Sequence, residues 1–302
     1  MLLAGGLSLQ ATTFYVTIAG LGGEPEYEQR FGGWAKDLDK LLKASGPDSK
    51  VVTLQASDAT KAKLQATLQQ IARDAKKDDV LVLMVIGHGT YDGADYKINL
   101  PGPDISAVEL AALLDRVPAT RQLVVNMTSA SGGGLASLRR KDRAVIMATK
   151  SGNEKNATVF ARFWVEALRD PAADTDKNEV ISALEAFRYA EQKTTKFYES
   201  QNRLATEHAI LEDTGTGEGT RTPSAQNGEG LIAARFPLLR IGGAQDASRD
   251  PAKQSLLKRK DQLEQDIDLL KYQKAAIPAA EYRSKLTVLL TDLAKVQAEL
   301  DK

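Results

Sequence analysis

The sequence predicts an α/β domain with a mainly parallel sheet, helices on both of its faces, and an antiparallel helical hairpin after it. Three observations carry this expectation. Apolar runs of strand length alternate with amphipathic segments of helical period from residue 12 onward. The runs are apolar at every position, as in "VLVLMVI" at 80–86, which is how strands buried on both faces read. Beyond Pro251 the composition turns to charged segments with leucines seven residues apart.

In order, "TTFYVTIAGLGG" (12–23) reads as a strand running into a glycine turn. "EYEQRFGGWAKDLDKLLKASG" (26–46) has helical spacing at Phe31, Trp34, Leu38, Leu41 and Leu42. "KVVTLQA" is a second strand, and "DATKAKLQATLQQIARDAKK" a helix with Asp58 as its expected cap. "DDVLVLMVIG" is a third strand, "SAVELAALLDRVP" a helix, "RQLVVNM" a fourth strand, "RAVIMAT" a fifth, and "NATVFARFWVEALRD" a further helix. From 203 to 250 the pattern loosens, and "EDTGTGEGTRTPSAQNGEG" reads as loop. "KQSLLKRKDQLEQDIDLLKYQKAA" and "AEYRSKLTVLLTDLAKVQAELDK" read as two helices joined by a short turn at Ile277 and Pro278. Leu256, Leu263 and Leu270 form a heptad stripe on the first, and Leu286, Leu289, Leu290, Leu293, Val296 and Leu300 a stripe on the second. The chain divides into 1–11, a domain over 12–245 and a hairpin over 251–302, with Gly242, Gly243 and Pro251 as the expected hinge.

Composition narrows the function. Forty basic and forty acidic side chains cancel over 302 residues, so no electrostatic footprint for nucleic acid is expected. No segment has the roughly 20 apolar residues that span a bilayer. The absence of cysteine removes disulfides, thiolate metal sites and a cysteine nucleophile. The start, "MLLAGGLSLQATTF", has a short apolar stretch with Ala11 at a cleavage-like position, and it lacks a basic leading region. It reads either as the remnant of an export signal, which favours an exported or periplasmic protein, or as a ragged N-terminus.

In parallel sheets ligands bind at the carboxyl ends of the strands, here the loops after Ile86, Met127 and Ala148. The first holds Gly87-His88-Gly89, one of only two histidines, with no neighbouring side chains to obstruct it. Imidazole, with an ordinary pKa of about 6.5, suits a general base. The second, "LVVNMTSASGGG" (123–134), puts Thr128, Ser129 and Ser131 before three glycines. A base loop and a glycine-rich hydroxyl loop on successive strands are what covalent acyl transfer needs: a nucleophile near the imidazole and backbone N–H groups facing an oxyanion. His208, in "LATEHAILED", is assigned no role.

This order of motifs resembles the caspase-like fold of cysteine peptidases, most nearly its legumain branch and that branch's bacterial relatives. The likeness spans about residues 12–210 and leaves the hairpin out. It implies a three-layer caspase-like sandwich. His88 falls on the catalytic histidine, Gly89 on the oxyanion-side glycine and Ser129 on the cysteine, while "VIMATKSGNEKNATVF" (145–160) resembles the segment that helps shape the substrate pocket. The departure lies at Ser129. A thiol near pKa 8.5 is readily drawn to thiolate, whereas a hydroxyl needs a base oriented by a carboxylate, for which Asp92 and Asp95 are the candidates. The resemblance therefore favours a non-proteolytic pseudo-peptidase acting as a binding or scaffolding subunit. A hydrolase using a Ser129–His88 dyad is the alternative, and a purely structural role the third option.

"DTDKNEVISALE" (174–185) has the spacing of an EF-hand-like calcium loop. Asp174, Asp176, Asn178, Ser182 and Glu185 stand at positions 1, 3, 5, 9 and 12, with the Val180 carbonyl at position 7. Glu179 stands where such a loop wants glycine and positive φ, and "LEDTGTGEGT" makes no sound second copy. Ca²⁺ is the expected cofactor; a solvated acidic turn capping the next helix is the other reading. The hairpin exposes more apolar surface than its helices hide from each other, so it is expected to contact a protein partner or pack along the domain.

Overall fold

The computed structural model describes residues 11–226 and 228–302. Of the export-signal segment 1–11, all but Ala11 lies outside the described residues. The chain runs β1 (Thr13–Ala19), α1 (Pro25–Lys43), β2 (Ser49–Leu54), α2 (Lys61–Asp74) and β3 (Val80–Ile86). A small antiparallel sheet follows, of β4 (Gly89–Tyr91), β5 (Tyr96–Ile98) and β6 (Ile105–Ser106). Then come α3 (Ala107–Leu114), β7 (Arg121–Asn126), α4 (Leu135–Leu138), β8 (Arg143–Met147), α5 (Phe160–Ala167), β9 (Val180–Ser182) and α6 (Ala183–Ser200). The chain ends with β10 (Ile210–Glu212), α7 (Leu231–Ala234), β11 (Pro237–Arg240), α8 (Gly242–Ser248), α9 (Gln254–Tyr272) and α10 (Ala279–Leu300).

The central sheet has six strands in the order β10-β8-β7-β3-β1-β2. Every pairing is parallel except that of the edge strand β10 with β8. Strand periodicity assigns the faces. Tyr15 and Ala19 of β1, with Val82, Met84 and Ile86 of β3, meet α1, α5 and α6. Phe14, Val16 and Ile18, with Leu81, Leu83 and Val85, meet α2 and α3. The result is the three-layer α/β arrangement with a mainly parallel sheet that the uniformly apolar strands predict. No helix among the described residues is long and apolar enough to cross a membrane.

Two local expectations are corrected. The cap of α2 is Thr60, whose side chain accepts from Lys63 N–H at 3.2 Å. Asp58 lies in a preceding 3-10 turn, too early to reach the helix's free N–H groups. Gly242 and Gly243 form no loose hinge either. They open α8, where Glu179 Oε2 accepts from Ala244 N–H (2.7 Å) and the Glu179 carbonyl from Ile241 N–H (2.9 Å).

The hairpin uses one of its stripes on the rest of the chain. Leu257, Leu263, Ile267 and Leu270 of α9 are buried, Asp261 takes both Nη atoms of Arg240 (3.2 and 2.6 Å), and Lys260 Nζ donates to the Asn178 carbonyl at 2.9 Å. Helix α10 packs on α9, and of its residues only Leu300 is buried.

Candidate functional site

The strand order reverses between β1 and β3, and their carboxyl ends open the crevice in which parallel sheets place ligands. Gly20 N–H donates to the Ile86 carbonyl at 2.8 Å, and Gly87 turns the chain at φ +150° against Gly20. A Cβ at Gly20 would lie 2.5 Å from the Asn99 carbonyl oxygen, and the positive φ of Gly87 would strain any other residue there, so both positions call for glycine. His88 emerges here, half-buried. Its ring stands edge-on to Tyr27 and Phe31 of α1, with centroids 4.8 and 5.1 Å away. Burial lowers its pKa, opposed by the Gly22 backbone and by Glu24 and Glu28, so the imidazole is neutral near pH 7.

Ser129 is only 2% exposed. Its Oγ accepts from Gly89 N–H at 3.0 Å and donates to the Gly89 carbonyl at 3.1 Å. Among the described residues no hydrogen bond joins this hydroxyl to the His88 ring. The structure thus brings Ser129 onto Gly89 and sets the imidazole against α1. The N–H groups expected to face an oxyanion are also engaged. Gly132 donates to Thr149 Oγ1 (2.9 Å), Gly133 to the Ala130 carbonyl (3.0 Å), and Ala130, at φ +56°, to the Glu154 carbonyl (2.8 Å).

The neighbouring hydroxyls are spent in the same way. Ser131 Oγ accepts from Thr149 N–H at 3.1 Å. Thr128 Oγ1 bonds the Tyr96 hydroxyl and donates to Asn126 Oδ1, and burial pushes the Tyr96 phenol up to about 12. Gly133 and Gly152 leave room for the Tyr91 ring, which lies over both loops. Asp92 and Asp95 do not orient the imidazole. Both are exposed in the β4–β5 turn, where Asp92 Oδ1 accepts from Ala94 and Asp95 N–H at 2.9 and 2.8 Å.

Two carboxylates, Glu154 and Glu207, bind these loops to the rest of the fold. Glu154 Oε1 is hydrogen-bonded to His208 Nδ1, its carboxylate accepts the N–H groups of Lys150 and His208 at 2.9 and 3.1 Å, and its carbonyl holds Ala130. Glu207 accepts from Val159 N–H (2.7 Å), Phe160 N–H (3.2 Å) and the Tyr198 hydroxyl (2.9 Å), so it caps the start of α5. Burial pushes the Glu207 carboxyl up to about 7 against these bonds, and Glu154 adds to the rise. The partners His208, Val159 and Phe160 lie some fifty residues away along the chain, where no local pattern signals them.

In the acidic segment, carboxylate oxygens of Asp174, Asp176 and Glu185 lie within 4.8 Å of one another. Lys177 and Glu179 take positive φ, +63° and +65°, which curls the chain around that point. Glu185 Oε1 accepts from Thr175 N–H and Oγ1 (2.8 and 2.9 Å), and Oε2 from Ser182 N–H and Oγ (3.0 and 2.9 Å). Ser182 in return caps α6. Asn178 Oδ1 is turned to Val180 N–H at 2.8 Å, and Val180 and Ser182 bound β9, which pairs with β11. Asp176 stands at the exposed end of the group, and partial loss of water together with the carboxylates of Glu185, Asp174 and Asp268 pushes it up to about 6. The three carboxylates offer more lone pairs than these bonds consume, so the donor set fits a hard cation.

No family model matches the chain, and no curated protein sequence matches it. Among solved structures it is similar to a protein from Geobacter sulfurreducens, at 14% identity over 61% of this chain and 89% of that one, with a TM-score of 0.43. It is also similar to caspase-1 from Spodoptera frugiperda, at 16% identity over 68% and 87%, TM-score 0.47. A third is the Drosophila initiator caspase Dronc, at 9% identity over 68% and 80%, TM-score 0.46.

Proposed function

We propose that the chain is a non-proteolytic caspase- or legumain-like pseudo-peptidase that serves as a binding or scaffolding subunit. The observation that carries this reading is the Ser129 hydroxyl, buried and closed onto both backbone groups of Gly89. A nucleophile must be free to lose its proton to a base and to approach a carbonyl carbon. This one has its proton on a carbonyl oxygen and its lone pair on an N–H. Attack would require breaking both bonds and turning the imidazole away from Tyr27 and Phe31. The partner surface in this reading is α10, where Val288 and Leu290 are 58% and 49% exposed. A fluorophosphonate probe is expected to leave Ser129 unlabelled; stoichiometric labelling that disappears in His88→Ala would establish the hydrolase instead.

The same reading gives the 174–185 loop a Ca²⁺ ion held by Asp174, Asp176 and Glu185, supported by their convergence and by the positive φ at Lys177 and Glu179. The ion would join the start of α6 to the loop before it and relieve the crowding at Asp176. Calcium at ten times its Kd adds about 1.4 kcal/mol through RT ln(1 + [L]/Kd). The melting temperature should rise accordingly, and Asp176→Asn should remove the rise. Melting curves that coincide in calcium and in chelator would exclude the ion.

A further inference from the structure

At the amino ends of the strands, across the sheet from His88 and Ser129, a cavity of about 460 Å³ lies between the starts of β1 and β2, strand β11 and helix α9. That size is within the range of small-molecule sites, roughly 300–1,000 Å³. Its lining is unusual in its balance of charge. Arg121, Arg240 and Lys258 face Asp48 and Asp261, and Asp261 is already gripped by Arg240 through both Nη atoms.

Arg121 is the informative group. It is half-buried at the start of β7, stacks over the Phe236 ring at 5.4 Å, and donates through Nη2 to the Arg235 carbonyl at 2.8 Å. Among the described residues it touches no carboxylate. Burial lowers its pKa, the neighbouring Arg235 charge adds to that, and Asp261 only partly opposes it. A guanidinium partly withdrawn from water with no carboxylate in contact is costly, and a bound anion would offset that cost.

Lys258, exposed on the facing wall in α9, likewise has no ion pair among the described residues. Of the neutral polar side chains around them, Gln265 offers an amide donor, whereas Gln262 Nε2 donates to Asp266 Oδ1 and Ser49 Oγ bonds Ser45 Oγ, each at 2.8 Å. Tyr15 is turned aside, its hydroxyl donating to the Leu238 carbonyl at 2.8 Å. A guanidinium, an ammonium and the Gln265 amide around one space make a set suited to oxygen anions.

We infer that this cavity binds a small, multiply charged oxyanion, a phosphorylated or polycarboxylate metabolite, clamped between Arg121 on the sheet and Lys258 on the hairpin. The ligand would tie α9 to β7 at the edge opposite the peptidase-like loops, so the site stands whether or not those loops are catalytic.

Isothermal titration of the full chain with inorganic pyrophosphate and, separately, with citrate tests it at constant ionic strength. At least one probe should bind saturably with one-to-one stoichiometry, and the preferred probe distinguishes phosphate from carboxylate chemistry. Lys258→Gln, at an exposed position without a partner, should keep the unliganded melting temperature. Both it and Arg121→Gln should raise the Kd at least threefold. Absence of saturable binding to either probe, or a smaller change in either variant, overturns the proposal.

Discussion

Gly89→Ala is expected to lower stability by about 4 kcal/mol. A Cβ at this position would lie 2.6 Å from the Ser129 carbonyl oxygen and 2.6 Å from Tyr96 Cε2. Neither can retreat cheaply. Tyr96 is buried and its hydroxyl is bound to Thr128 and Asn126, while Ser129 is bound to both backbone groups of Gly89. Overpacking costs about 1–3 kcal/mol, and displacing the two Ser129 bonds adds about 1 kcal/mol each. Gly33→Ala is the matched control. It lies inside α1 with nothing within 4 Å of the added carbon, and should gain about 1 kcal/mol from helix propensity. Urea unfolding of both variants measures the contrast. A Gly89→Ala protein within 1 kcal/mol of the parent would mean that the recess is open enough to admit a ligand atom, against the pseudo-peptidase reading.

That closure explains the type of residue at 129. A hydroxyl is donor and acceptor at once, and it fits between an N–H and a carbonyl at 3.0 and 3.1 Å. A thiol is a weak donor with a larger sulfur and would fit the same gap poorly. Serine at a strand end beside a histidine therefore serves packing here as well as it would serve chemistry. The sequence pattern does not separate the two uses, because the deciding fact is whether Gly89 N–H is free. That depends on how two loops forty residues apart approach each other.

The layers and main strands were legible because each is a local run with its own period. "VLVLMVI" is β3, and Ser106 with Glu109 forms the capping box of α3 within the predicted helix. The strands that were not legible, β4–β6 and β9–β11, are two to four residues long and owe their extension to distant pairing, as β9 does to β11. The heptad stripe of α9 was visible, but the surface that buries it was not: α9 lies against α7 and α8, in the stretch that reads as loose from 203 to 250. Asp58 and Thr60 show the limit at close range. Both are good caps, and only the turn between them decides which one touches an N–H.

Glu207 carries the second large effect. Its carboxyl is pushed from an ordinary 4.5 to about 7, mainly by burial. The folded state therefore holds the proton more tightly than the unfolded chain. The stability this contributes is complete below about pH 4.5 and is lost as pH rises to about 7, amounting to about 3 kcal/mol. Other groups titrate in the same window. Asp176 and Glu264 are raised to about 6 and 7 and act in the same sense, whereas the lowered His88 acts in the opposite one. The parent alone would therefore report a sum, and the difference between parent and Glu207→Gln isolates the single group. Glutamine keeps one acceptor for Val159 N–H and the Tyr198 hydroxyl and turns an amide toward Phe160 N–H, so the variant should be the less stable protein at pH 5. Between pH 5 and 8 the parent should lose most of that 3 kcal/mol relative to the variant, closing or reversing the gap. Urea unfolding at pH 5, 6, 7 and 8 gives the two curves. If they run parallel across that range, the carboxyl caps α5 in the ionised form throughout, and burial does not govern its titration.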